Sequence, residues 1–243
     1  MHVLIGLLVV GGTFLLSLDY AGDDFDGFLN IYSAILLAGM PIGLAVISYR
    51  FSQLGAALRG LGRALRYQPT REREELARLM LEFGRAIRQE RAADGLRVLE
   101  QSRDPIFKAL GQHVLQQSDP EELEADGMFL GRRDLMDYRQ GEKLFASLGD
   151  FAPAMGMVGT VIGLIELLAN MRDFEKLGPG MAIALLTTFY GLILAHVVYL
   201  PLARMISEHG ALRAENLNLT IEGMLKLARR RPLHELQKMT EAP

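Results

Sequence analysis

What most constrains this chain is where its apolar residues fall. Residues 3–18 (VLIGLLVVGGTFLLSL) and 31–49 (IYSAILLAGMPIGLAVISY) carry no charge, and residues 181–203 (MAIALLTTFYGLILAHVVYLPLA) carry none apart from the titratable His196. A fourth stretch, from about Leu144 to Met171, is apolar but holds Asp150 and Glu166. A helix needs roughly 20 apolar residues to cross a bilayer core, so four membrane-spanning helices are expected. The first run is short and sits at the N-terminus. It lacks both the preceding basic residue and the A-x-A-like cleavage site of a signal peptide, and is expected to stay as a membrane helix. The expected fold class is all-α: four transmembrane helices with a helical cytoplasmic domain between spans 2 and 3. Residues 1–50 carry spans 1 and 2, residues 51–143 the cytoplasmic domain, residues 144–205 spans 3 and 4, and residues 206–243 a cytoplasmic C-terminal helix.

Orientation follows from the basic residues. Residues 19–30 hold Asp19, Asp23, Asp24 and Asp26 and no Lys or Arg, and residues 172–180 hold only Arg172 and Lys176 as cations. By contrast, seventeen basic residues lie between Arg50 and Lys143, and seven more from Arg204 onwards. Basic segments flanking spans stay in the cytoplasm. Both termini are therefore expected inside and the two short loops outside, as in a multi-pass membrane protein. A net charge of −3 gives no electrostatic case for nucleic acid, and a chain without cysteine has neither a disulfide framework nor a thiolate metal site.

Beyond Tyr49 the pattern becomes helical and amphipathic. Phe51, Leu54, Leu58, Leu61 and Leu65 recur every three or four residues, which predicts that the second membrane helix continues into the cytoplasm. Further helices are expected over 70–89, with Thr70 as the cap, and over 91–101 and 104–117. Ser118-Asp119-Pro120 marks a turn and a helix start. The apolar positions of this segment are too few for a large independent core, which predicts a compact bundle packed under the membrane with copies of itself. The tail from Ile206 to Gln237 is helical in pattern and interrupted by Arg229-Arg230-Arg231-Pro232. Its basic triplet is most simply a juxtamembrane helix end against anionic lipid, with a specific partner as the alternative.

Glycine costs up to about 1 kcal/mol in a helix interior, yet GMVGTVIGL (residues 156–164) has three. Gly156, Thr160 and Gly163 share one face, and Gly159 with Gly163 forms a G-x-x-x-G pair. Small residues let helix backbones approach in lipid, where helices have no hydrophobic drive to associate. Ala184, Thr188, Gly191 and Ala195 make a similar stripe on span 4. By helix rise, Thr160 lies roughly 15 Å and Thr188 roughly 10 Å below the outer ends of their spans. Two readings stand for these hydroxyls. Each can bond to a carbonyl one turn back, as membrane threonines commonly do, or the two can line one path and offer hard oxygen ligands to a small cation in transit.

An ion path normally requires an intramembrane carboxylate. Glu166 lies about 9 Å outward of Thr160, where it is either an interfacial residue or an attractor of cations at the mouth. If an ion crosses here, the central carboxylate comes from another protein. No P-loop, G-x-S-x-G or H-E-x-x-H pattern is present, and the five histidines have no metal-ligand spacing. Neither an enzyme nor a bound cofactor is expected.

The stretch from Phe151 to Ile206, FAPAMGMVGTVIGLIELLANMRDFEKLGPGMAIALLTTFYGLILAHVVYLPLARMI, together with the span spacing and the EGML…RRRPLHEL tail, resembles the MotA/PomA family of flagellar stator channel subunits. The resemblance implies a homopentamer around two copies of a single-span MotB/PomB-like subunit that supplies the ion-binding aspartate, with cation influx turning the pentamer against a FliG-like rotor protein. Pro153 and Pro201 match the family's two channel prolines, and Thr188 its fourth-span threonine. Thr160 falls where sodium-driven members carry threonine and proton-driven ones tend to carry alanine. The implied ion is Na+, passing Thr160 and Thr188 transiently; the alternatives are H+ or a homologous motor of another envelope machine. Related ExbB/TolQ proteins have three spans and a glutamate where this chain has Ile183. The resemblance also implies rotor-facing charges: in RAADGLRVLE, Glu100 matches, but the arginine position holds Ala92, leaving Arg91 or Arg88 as substitutes.

Overall fold

The computed structural model describes residues 2–21, 28–172 and 174–241, and among them every regular element is helical. Asp23, Asp24 and Asp26 of the first expected outer loop lie outside these residues. The chain divides into two compact units, one of Met1–Ala57 with Gln140–Met205 and one of Leu58–Arg139 with Ile206–Pro243.

The first unit begins with α1 (His2–Ala21) and α2 (Ile31–Ser48). Asn30 caps α2, its Oδ1 accepting from the Ser33 N–H at 3.0 Å. α2 buries one stripe, Ser33, Leu37, Pro41 and Ala45, at the four-residue spacing that keeps side chains on one helix face. It packs against α8 (Phe174–Ile193). The Tyr190 hydroxyl on α8 donates to the Phe28 carbonyl and accepts from the Asn30 N–H, so the start of α2 is pinned to α8. Among the described residues three helices are long and apolar enough to cross a membrane: Ile31–Ser48, Pro120–Ala169 and Leu177–Ala228. The expected first span corresponds to α1, a helix of 20 residues.

Several expectations are corrected. α2 does not run on into the segment that follows it: Tyr49 is extended (φ −123°, ψ 143°), and α3 (Phe51–Arg66) starts anew after Arg50. The Tyr49 hydroxyl lies 2.6 Å from Ser147 Oγ and fixes the break. The loop expected over residues 172–180 is shorter than that, because α8 begins at Phe174. Thr70 is not the cap of α4 (Pro69–Arg88); Gln68 precedes the helix and Pro69 opens it, where a missing N–H costs nothing.

The second unit is built on α3, α4, α5 (Ala92–Gln101) and α6 (Pro105–Leu115). It also takes the N-terminal part of α7 (Pro120–Ala169), the C-terminal part of α9 (Leu200–Ala228), and α10 (Leu233–Glu241). Its core is larger than residues 51–143 alone supply. Leu76, Leu79, Met80, Phe83, Phe107 and Leu110 are joined by Leu217, Met224 and Leu227 of α9 and Leu236 of α10. The tail is therefore structural, contributing the apolar face that the middle segment lacks.

Among the described residues two charged side chains are buried within this unit, Arg213 and Asp104, and they pair with each other. Arg213 of α9, 3% exposed, reaches Glu72 Oε1 and Asp104 Oδ2 through Nη1, both at 2.6 Å, and Asp134 Oδ2 through Nε at 2.8 Å. Asp104 also caps α6, accepting from the Ile106 and Phe107 N–H groups. Asp134 is shared with Arg63 at 2.8 Å, and Glu72 accepts from the Tyr67 hydroxyl and from Asn216 Nδ2. Charges are retained in an interior only when paired, and here one guanidinium links α4, α6, α7 and α9.

Candidate functional site

The site lies in the first unit, on the face where α7 and α8 run antiparallel. The small residues set the separation of the two backbones. A Cβ at Gly163 would stand 2.7 Å from the Ala184 nitrogen and 2.8 Å from the Gly180 carbonyl oxygen. One at Gly156 would come within 3.0 Å of the Thr187 carbonyl, and one at Gly191 within 2.7 Å of the Ala152 carbonyl. Gly159 faces Thr187, whose Cβ would be 2.6 Å away. Because most of these obstacles are backbone atoms, no rotamer change can relieve them.

That approach brings the two threonines together. Thr160 Oγ1 and Thr188 Oγ1 are 2.5 Å apart. Thr160 Oγ1 also donates across the interface to the Ala184 carbonyl at 3.0 Å, with the Gly156 carbonyl of its own helix at 3.2 Å. Thr188 Oγ1 lies 3.5 Å from that same Gly156 carbonyl. A hydroxyl has one proton to give. If Thr188 donates to Thr160 and Thr160 donates to Ala184, both protons are used and Thr188 Oγ1 keeps free lone pairs. Two hydroxyl and two carbonyl oxygens thus converge in a half-buried spot.

Thr160 thus bonds a carbonyl one turn back as well as reaching across the interface, and a third threonine that the sequence pattern did not single out, Thr187, also bonds one turn back. Thr187 is fully buried, and its Oγ1 bonds the Ile183 and Ala184 carbonyls at 2.9 and 3.1 Å. It fills the space between Gly156 and Gly159 and so sets the spacing that Thr160 and Thr188 use. A pair of consecutive threonines in an apolar helix was the available signal: only one of them can share a face with Thr160.

Pro153 stands within α7, and Pro201 lies in the first turn of α9. Between α8 and α9 the chain adopts a π-helical segment, Leu194–Tyr199, with the Leu200 N–H bonded to the Ala195 carbonyl. Wide turns of this kind recur at functional sites, and a proline that removes one helical N–H is a known cause of such irregularity. Glu166 is exposed; the sequence places it on α7 toward the end away from Pro153. Among the described residues no group of His, Asp or Glu could hold a metal ion.

In the second unit Arg88, Arg91 and Glu100 are all exposed. Arg91 precedes α5 as its N-cap residue and Ala92 opens the helix. Arg91 is therefore outside the helical register in which Ala92 and Glu100 stand, and it faces Asp94 at 3.9 Å. Arg88 Nη2 instead donates to the Arg231 carbonyl at 2.8 Å.

Residues 98–218 match the MotA/TolQ/ExbB proton channel family. The chain is 31% identical to the chemotaxis protein PomA of Vibrio alginolyticus over 225 residues, covering 90% of this chain and 86% of that protein. The chain belongs to the MotA/TolQ/ExbB family, on its MotA/PomA side. Two solved structures share the fold of this MotA/PomA-type chain. The C. jejuni MotAB structure superimposes with a TM-score of 0.88 at 16% identity, covering 98% of this chain and 93% of that one. The flagellar MotAB stator complex of Bacillus subtilis does so with a TM-score of 0.84 at 21% identity, covering 97% and 92%.

Proposed function

We propose that this chain is the channel-forming subunit of a sodium-driven flagellar stator, coupling cation influx to rotation. The observation that carries the reading is the Thr160–Thr188 hydroxyl contact of 2.5 Å on a small-residue interface, in a chain similar along most of its length to a PomA protein. Threonine oxygens and backbone carbonyls are hard ligands of the type that suits a small cation stripped of part of its water. The Thr160–Thr188 site has no carboxylate of its own. The missing charge comes from a single-span MotB/PomB-like subunit, of which two copies sit inside a pentamer of this chain.

On this reading residues 1–50 and 144–205 lie in the bacterial inner membrane, and residues 51–143 and 206–243 lie in the cytoplasm with both termini. Pro153, Pro201, Thr160 and Thr188 border the ion path, Glu166 attracts cations to its mouth, and Gly156, Gly159, Gly163, Ala184 and Gly191 pack the helices. Exposed Met157, Val161, Leu164 and Leu168 give α7 an apolar face suited to lipid or to a partner helix. Arg88, Arg91 and Glu100 face a FliG-like rotor protein. A proton-driven stator is the second reading, because a hydroxyl pair can also relay a proton.

The test is ion flux in cells that express the full chain with its adjacent single-span protein, the plug of the latter removed. Sodium-dependent flux that requires both proteins, and loses its sodium dependence in Thr160→Ala, is expected. Sodium-independent proton flux would reverse the ion, and no flux of either ion would refute the channel reading.

A further inference from the structure

Six arginines, from α3, α4, α9 and the α5–α6 connection, line one cavity of about 910 Å³ in the second unit. Four carboxylates share it, which leaves a surplus of two cations. At the floor the charges are matched: Arg213 and Arg63 take up Glu72, Asp104 and Asp134, and Arg63 also lies over the Tyr138 ring, 4.7 Å from its centroid. On the rim Arg59 turns to Asp137 at 3.4 Å. Arg66, Arg71 and Arg103 are left with Glu75, are exposed, and form no ion pair among the described residues.

Like charges around a concave surface repel one another, and a cleft focuses their field. Helix ends account for only one of the three. Arg66 closes α3, where a cation is stabilised, but Arg71 stands in the first turn of α4, where the helix end is itself positive. Gln68 gives α4 no side-chain cap, so this end lacks the acceptor usual there and favours an anion. α6 starts at the same cavity and is capped by Asp104.

The floor adds buried donors. The three carboxylates bond Nε and Nη1 of Arg213 and leave Nη2 to the cavity that this side chain, 3% exposed, lines. Ser102, also 3% exposed, accepts the Asp104 N–H at 3.1 Å and keeps its own proton to give. Apolar surface is scarce. Apart from proline and glycine, the one aliphatic lining residue is Leu76, 2% exposed, so neither an acyl chain nor the apolar side of a partner helix has a seat.

We propose that this cavity binds a phosphate ester carrying two or more negative charges, held by Arg66, Arg71, Arg103 and the start of α4, with Arg213 and Ser102 beneath. Phosphate oxygens accept from each of these donors, guanidinium forks take them in pairs, and the volume lies within the range of small-molecule sites. The source of the phosphate is a soluble ester or a phospholipid headgroup. The inference does not rest on the channel reading, since no residue of the Thr160–Thr188 site lines the cavity.

The test is calorimetric titration of the full-length chain in phosphatidylcholine nanodiscs with inorganic triphosphate at constant ionic strength. Saturable binding of one triphosphate per chain is expected. Arg66→Gln/Arg71→Gln and Arg103→Gln should each weaken it by about tenfold or more, the loss expected for charge-assisted hydrogen bonds. Arg132→Gln/Arg133→Gln, at exposed positions of α7 outside the cavity, should leave it unchanged. All five side chains are exposed, and the circular dichroism of each variant is expected to match the parent. Competition then separates the two sources: displacement of triphosphate at lower concentration by dihexanoyl phosphatidic acid than by adenosine triphosphate assigns the site to a headgroup, and the reverse order assigns it to a soluble ester. No saturable binding, binding unchanged in the rim variants, or equal weakening by Arg132→Gln/Arg133→Gln would each overturn the proposal.

Discussion

Replacing Arg213 by methionine keeps the approximate volume and removes the one cation that, among the described residues, Glu72, Asp104 and Asp134 share. Breaking a buried pair by deleting one partner typically costs about 3–5 kcal/mol, because the other charge is left uncompensated. Three carboxylates would be stranded here, but none completely. Asp134 keeps Arg63 at 2.8 Å, Asp104 keeps its two capping N–H groups, and Glu72 keeps Tyr67 and Asn216. The lower end, about 3 kcal/mol, is therefore expected. For a unit of this size that corresponds to a fall in Tm of roughly 10 °C, read by circular dichroism on the full chain in detergent. Hydrogen exchange should rise first in α4 and α6, whose N-terminal ends the cluster holds. Arg213→Lys, which keeps the charge but cannot span three carboxylates, should fall between the two. A Tm change below about 2 °C in Arg213→Met, or exchange rising only in α8, would refute the view that this cluster fastens the unit.

Gly163→Val forces branched carbon against the Ala184 nitrogen and Gly180 carbonyl; overpacking of about 1–3 kcal/mol should lower thermal stability in detergent and abolish ion flux, whereas Gly62→Ala, where a Cβ meets open space, should do neither. Gly60→Ala should be as harmful as Gly163→Val, since its Cβ would overlap the Asp137 carbonyl oxygen. Gln117→Gly relieves a left-handed residue (φ 56°) and should stabilise the chain by up to about 1 kcal/mol, seen as a higher Tm. Burial raises the Tyr67 hydroxyl above its ordinary range, helped by the Glu72 carboxylate, and burial also raises Tyr138. A group whose pKa is higher folded than unfolded stabilises fully below the unfolded value, about 10 for tyrosine, and loses that contribution as pH rises further. Stability should fall above about pH 10, with phenolate absorbance appearing together with unfolding, and less steeply in Tyr67→Phe.

Much of the site was legible because its chemistry is local in the sequence. Glycines in an apolar helix have few explanations other than close packing, and the three- and four-residue spacing put Thr160 beside Gly156 and Gly163. A second small-residue stripe on the facing span placed Thr188 at a similar depth. Thr187 was missed because two adjacent threonines differ only in the direction they point, which depends on the rotation of α8 against α7. The start of α8 was placed too late because Gly178, Pro179 and Gly180 read as a loop, although Pro179 lies within the helix.

Sequence alone determined the apolar runs, their number, the small-residue faces and most helix starts, since hydrophobic length, periodicity and prolines at first turns act over a few residues. Tertiary structure decided what required partners distant along the chain. The core of the second unit draws on α9 and α10, Arg213 gathers carboxylates from three other helices, and Arg88 meets Arg231. Charges that look like solvated surface in a linear pattern can be buried or convergent in the fold. Burial and convergence depend on which helix faces meet, and that is settled by packing.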